Sequence, residues 1–283
     1  MPPFTPPELL RPLRNSPPIP YYPNMPFRIG AVSYLNAKPL IHGLEEQPDL
    51  DIQLDVPARL LDGLRSGRFD IALLPVIDYQ RLPGLRIVPA GGIGCDGPTL
   101  TVRIFSPVPI EKIQILAADI ESHTSVALAR IILARRYGIT PNIVDRGADA
   151  NTPMLLIGDK VVTHAPTSMS HQLDLGDAWK QLTGMPFVFA VWIARGDVDL
   201  GDLPKRLERA KRAGLADLQT IIDRHAIPTG WPRQLAVKYL TINLKYDVGP
   251  AQFRAIEMFH QMAAQQNLIP EPRPLELYRS SGH

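Results

Sequence analysis

Cysteine is almost missing from this chain of 283 residues: Cys95 is the one thiol, so no intrachain disulfide can form. That usage fits a reducing compartment. An excess of charge is missing too. Thirty basic and 28 acidic residues leave a formal net charge of +2. This balance gives no support to a nucleic-acid or anionic-membrane partner, although a local site on a neutral protein can still attract a small anion. No apolar run approaches the roughly 18 residues of a membrane span. The N-terminus shows no apolar core followed by a small-residue cleavage site, and the expectation is a cytoplasmic protein rather than an exported receptor. Nucleotide and hydrolase signatures are also lacking: no Walker A loop, no G-x-G-x-x-G after a strand, no G-x-S-x-G elbow. The seven histidines, including His164 and His171 seven residues apart, form no recognised metal motif. Gly91-Gly92-Ile93-Gly94 is glycine-rich but has no phosphate-loop context. No metal and no cofactor are expected.

What the chain does have is a proline-rich start and then a regular alternation. Residues 1–26 hold ten of the 30 prolines. They lack many backbone donors and have little patterned apolar surface, so they read as a disordered or polyproline-like extension, with Met25 as a candidate start. From Phe27 onward, strand and helix patterns alternate. Strands are expected at Ile29–Val32, Ile52–Val56 and the continuous apolar run Ile71–Val76. Pro57 suits a first helical position, Leu60, Leu61 and Leu64 share one face, and Gly67 is a plausible stop. A second set brings strands at Val102–Phe105, Ile115–Ala118 and Pro153–Gly158, and a helix over Thr124–Tyr137 with Leu128, Ile131 and Ile132 inward. Pro186–Ala194 is a long apolar run, and Phe253, Ile256 and Phe259 mark a last helix ending near Asn267. Tyr239–Tyr246 is ambiguous between strand and helix end. Repeated βα units predict an α/β protein with mainly parallel sheet.

Polar residues fall where such sheets place their ligands, beyond the carboxyl ends of strands. Ser33 and Asn36 follow the first strand, and Asn36 offers both a donor and an acceptor without charge. Either a structural cap or a ligand contact explains them. Ser122, Thr124 and Ser125 precede a helix whose first amides lack internal partners and sit at the positive end of its dipole, a carboxylate site that needs no lysine. An N-cap alone would explain them equally. Gly97 permits a positive φ, and Thr101 is either a ligand-facing hydroxyl or simply a strand residue. Gly158 and Asp159 follow a buried strand, with Asp159 reading more readily as a cap than as an acid.

These segments form a set. RIGAVSYLNAKPL at 28–40, DIALLPV at 70–76, CDGPTLTVRIFS at 95–106, ESHTSVALARIIL at 121–133, LLIGDKVV at 155–162 and DLGDAWKQLTGMPFVFAVWIA at 174–194 resemble the chorismate dehydratases of the futalosine route to menaquinone. The similarity spreads over roughly residues 28–270. The chain departs from the family pattern at His123, where arginine is common, and at Lys160, where the family usually continues GDAAL. The resemblance implies a type-II periplasmic-binding-protein-like fold: two α/β lobes joined by two crossing strands, with the ligand cleft between them. The crossings are expected at Thr101–Ser106 and Phe187–Ile193. Residues 27–102 and 190–283 would then form a discontinuous first lobe, and 103–189 the second. The implied activity is a lyase converting chorismate, a small dicarboxylate, to 3-[(1-carboxyvinyl)oxy]benzoate and water. Asn36 and Thr101 would be catalytic. Ser33, Gly97, Ser122, Thr124, Ser125, Gly158 and Asp159 would bind substrate. The sister naphthoate synthase, acting on a cyclic futalosine derivative through a histidine base, shares the fold and stays open, as does a small-anion-binding protein without chemistry.

Overall fold

The computed structural model describes residues 26–119, 122–145 and 151–279. The proline-rich extension, apart from Pro26, lies outside the described residues. In chain order the strands are β1 (Phe27–Ala31), β2 (Leu50–Leu54), β3 (Ile71–Pro75), β4 (Leu85–Cys95), β5 (Val102–Ser106), β6 (Ile115–Ala118), β7 (Asn142–Asp145), β8 (Met154–Ile157), β9 (His171–Asp174), β10 (Phe187–Arg195) and β11 (Leu244–Lys245). They build two sheets, in the orders β11-β4-β10-β3-β1-β2 and β7-β6-β8-β5-β9. This is the two-lobed α/β arrangement anticipated from the sequence.

Local chemistry explains where the elements begin and end. β3 is buried at all five positions, as expected for a strand covered on both faces. The Pro57–Ser66 helix starts with proline at a position whose N–H would be unpaired anyway, and it stops at Gly67 with φ 76°. The His123–Tyr137 helix buries Leu128, Ile131 and Ile132. The strand pattern of Leu240, Ile242 and Leu244 resolves into a wide helical turn, Tyr239–Asn243, followed by the short strand β11.

Two expectations need correction. The sheets are mixed rather than mainly parallel. β2-β1-β3 and β7-β6-β8 run parallel, but β10 is antiparallel to both β3 and β4, and β5 is antiparallel to both β8 and β9. The reason is topological: β4 leaves the first sheet toward the second, β10 returns beside it, and a returning strand must run the other way. The segments expected to cross are also not the connections. Val102–Ser106 lies wholly in the second sheet and Phe187–Arg195 wholly in the first, so the chain passes between sheets at residues 96–101 and 184–186. Residues 187–189 thus belong to a first-sheet strand, and Val102 to a second-sheet strand.

The Gly91–Gly94 run lies inside β4. An added Cβ at Gly92 would sit 2.5 Å from the Ala190 carbonyl oxygen. The register of β4 with β10 slips near Ala190 and Val191, so the glycine admits a close backbone approach at an irregular pairing. Under the second connection an aromatic cluster joins the two halves. Trp179 and Phe259 meet Phe187 edge-on, with ring centroids 5.2 and 5.1 Å away. Trp179 also donates its indole N–H to the Pro186 carbonyl at 3.0 Å.

Candidate active site

A cleft lies where the two sheets face each other, with about 630 Å3 of free space including its open mouth. Its walls come from many separate stretches, among them the turn after β1 (Val32, Tyr34, Asn36), β3 (Leu73, Pro75), β4 (Ile93), the connection into β5 (Thr99, Thr101, Val102), the start of the His123–Tyr137 helix (Ser122, Thr124, Ser125), the end of β8 (Ile157, Gly158), β10 (Phe189, Ala190), and Tyr239 with Leu244. Much of the lining is apolar, with a few polar groups set into it. Among the described residues, no side chain lining the cleft is charged.

One hydrogen-bond network spans the cleft floor. The Thr101 hydroxyl lies 2.7 Å from the Tyr239 hydroxyl, and the Asn36 side chain lies close to the same phenol. Tyr239 is fully buried and stacks on Trp231, with centroids 5.0 Å apart and planes 23° from parallel. Burial pushes its phenol well above the ordinary tyrosine range, so it stays protonated and acts as a neutral relay of hydrogen bonds. The Asn36 Oδ1 atom is buried and has no partner. An orphaned buried acceptor carries a desolvation cost of about 1–3 kcal/mol until something donates to it. A ligand hydroxyl in the cleft would supply that donor.

The opposite wall is a helix start. Ser122 occupies the N-cap position without a side-chain capping bond, and its carbonyl accepts from Val126 N at 3.0 Å. The amides of His123, Thr124 and Ser125 precede that first helical bond, at the positive end of the dipole. The Thr124 hydroxyl accepts from the Ile77 amide at 3.4 Å, which fixes the helix start against the first lobe. The His123 ring points away from this role: its Nδ1 lies 2.8 Å from the buried Asp78 carboxylate. Lys160 pairs with Asp119 at 3.8 Å.

Of the residues singled out by sequence, Asn36, Thr101, Ser122, Thr124, Ser125 and Gly158 line this one cleft. Three do not. Ser33 is exposed and outside the lining, because the turn that points Asn36 inward turns its neighbour out. Gly97 is buried in the connection with φ 119° and shapes the turn. Asp159 accepts from Trp231 Nε1 at 3.2 Å, behind Tyr239, and burial raises its carboxyl above the usual range. It braces the platform under Tyr239 from the second lobe. Tyr239 itself went unseen in sequence. It sits in the stretch of ambiguous periodicity, and only tertiary contact brings it to Asn36 and Thr101, 203 and 138 positions away in the chain.

Comparison with known proteins gives a consistent picture. A family model described as menaquinone biosynthesis matches residues 27–265. A chorismate dehydratase of Thermus thermophilus is 29% identical over 244 residues, covering 78% of this chain and 89% of that protein. Among solved structures, a protein of Archaeoglobus fulgidus superposes with a TM-score of 0.69 at 16% identity, covering 86% of this chain and 98% of its own. The periplasmic aliphatic sulphonate binding protein of Escherichia coli superposes at 0.62 and 17% identity, covering 91% of this chain and 95% of its own. At such identities the structural likeness establishes the fold: that of the periplasmic binding proteins.

Proposed function

This chain belongs to the menaquinone-biosynthesis family, and on that premise we propose that it is a carbon–oxygen lyase that dehydrates chorismate to 3-[(1-carboxyvinyl)oxy]benzoate. The observation that carries the reading is the uncharged cleft on which Asn36 and the hydrogen-bonded pair Thr101–Tyr239 converge beside a helix N-terminus.

The reaction removes a proton and a hydroxyl from adjacent ring carbons, and the ring becomes aromatic. Much of the driving force therefore resides in the substrate. The protein's part is to hold one conformer and to stabilise charge as it develops. The amides and hydroxyls of residues 122–125 suit a carboxylate of the substrate. Asn36, with its unpaired Oδ1, and Thr101 suit the ring hydroxyl and the reacting centre. Apolar neighbours such as Leu73, Ile93 and Phe189 suit the ring and keep water away, which strengthens each of these hydrogen bonds. The absence of histidine from the described lining supports this reading over the sister naphthoate synthase, which relies on a histidine base.

The test is direct. The protein is mixed with chorismate, and formation of the aromatic product is followed by ultraviolet absorbance and mass. Conversion to the carboxyvinyloxybenzoate with release of one water is expected. Binding of chorismate with no turnover would leave a binding protein, and turnover of a cyclic futalosine derivative instead would assign the sister activity.

A further inference from the structure

The DLGDAW segment at 174–179 adds no lining residue to the cleft, yet its first carboxylate is one of the most heavily engaged groups in the molecule. Asp174 is the last residue of β9 and pairs in register with Arg103, two residues beyond Thr101. Its Oδ1 accepts from the amides of Thr99 at 3.0 Å, Gly176 at 3.0 Å and Asp177 at 3.2 Å. Its Oδ2 accepts from the Leu100 amide at 2.8 Å and from Arg103 at 3.3 Å. One carboxylate thus caps the Leu175–Thr183 helix and at the same time grips the connection between the lobes.

What it grips is a strained turn. Leu100 has φ 68°, in the left-handed region that a residue with a Cβ rarely adopts. The Thr101 amide bonds the Thr99 carbonyl at 2.9 Å, closing a three-residue turn around Leu100. Such turns with positive central φ are rare and strained. The residue that emerges from the turn is Thr101. Its carbonyl then accepts from Gly158 at 2.8 Å and its hydroxyl meets Tyr239. Gly176 makes the arrangement sterically possible: a Cβ there would lie 2.6 Å from the Gly97 oxygen and 3.0 Å from the Thr99 Cβ, so the helix start could not approach the connection.

We propose that Asp174 is a positioning residue for the cleft chemistry: it holds the Thr99–Thr101 turn in its strained form and so delivers the Thr101 hydroxyl to Tyr239 and the substrate. This rests on the chorismate dehydratase reading for its kinetic consequence but not for its structural one.

Asp174→Ser separates the two roles of the carboxylate. Serine still caps the helix, since it ranks beside aspartate at N-caps, but it cannot reach the Thr99 and Leu100 amides as well. The expected result is a folded protein with a melting midpoint lowered by the lost Thr99 and Leu100 amide bonds, kcat per folded molecule lowered roughly 10- to 100-fold and KM little changed, because small misplacements of reacting groups cost about that much. Amide exchange over residues 99–101 should quicken in the same variant. Adding Leu100→Gly, which tolerates positive φ without the clamp, should restore part of the lost kcat. Wild-type kcat in Asp174→Ser, or unchanged amide exchange over 99–101, overturns the proposal. A kcat loss that merely tracks lost folded protein and is not relieved by Leu100→Gly also overturns it, reducing Asp174 to a cap. If the wild-type protein does not convert chorismate, the substrate reading fails, and the exchange measurement alone still decides whether Asp174 holds the turn.

Discussion

At the scale of single residues, the cleft is built on shared hydrogen bonds rather than on charge. Tyr239 is the clearest case. Its phenol bonds Thr101 and lies close to Asn36, and it carries no function visible from its own neighbours in the chain. Tyr239→Phe keeps the ring stacked on Trp231 but removes the hydroxyl that joins the two partners. We expect kcat on chorismate to fall by about 10- to 100-fold with melting midpoint little changed, since a lost buried hydrogen bond is worth about 1 kcal/mol in stability while misalignment of a reacting pair costs more in rate. A variant turning over like wild type would show that the network is ornamental to the chemistry. Asn36→Ala should be the more severe change, lowering kcat by about 100-fold or more, because it removes the group with the unpaired acceptor itself. Steady-state kinetics beside circular dichroism would separate this from misfolding.

At the scale of elements, β4 and β10 carry the geometry of one cleft wall. Their pairing is irregular near Ala190, and Ala190 and Phe189 both line the cleft. Gly92→Ala would place a methyl group 2.5 Å from the Ala190 carbonyl oxygen, so one strand must shift. The expected cost is about 1–3 kcal/mol, read as a lower urea midpoint with unchanged slope, together with a raised KM from the displaced cleft wall. An unchanged midpoint would mean that the pairing relaxes freely. The same two strands explain why the parallel-sheet expectation falls short. Periodicity reports which residues are buried; it does not report the direction of a strand that returns from another lobe.

At the scale of the whole molecule, stability is coupled to pH through a buried histidine. His260 is almost fully enclosed, and its Nε2 lies 2.9 Å from the Val76 carbonyl while its Nδ1 lies 2.9 Å from the Gln80 amide nitrogen. These partners fit one neutral tautomer, with Nε2–H donating to Val76 and Nδ1 accepting from Gln80. Burial lowers its pKa from the ordinary value of 6.5 to about 4. In the unfolded chain the ring takes up a proton near pH 6.5. Between about pH 6.5 and 4 the unfolded state therefore binds more protons than the folded state, and stability falls as the pH falls through that window. The loss attributable to this group is on the order of 3 kcal/mol. Denaturation midpoints at pH 7.5 and pH 5 should show it, and His260→Gln should flatten that slope. An equal slope in the variant would assign the acid sensitivity to other groups.

Much of this protein is legible in its sequence because burial and backbone chemistry are local. Proline at residue 57, glycine at 67 and the apolar run at 71–75 state their roles without help from distant residues, and the hydroxyl cluster at the first turn of the 123–137 helix marks a helix start wherever it folds. The spacing of βα units, together with the resemblance carried by six short segments, determined the two-lobed α/β class and the candidate family. Tertiary structure alone decided the rest. It turned Asn36 inward and Ser33 outward, set β10 against its neighbours, sent Asp159 behind Tyr239, and brought Asp174 across to residues 99 and 100. Those outcomes depend on contacts between residues far apart in the chain. Such contacts form only when distant segments of the chain pack together, so no window of sequence contains them.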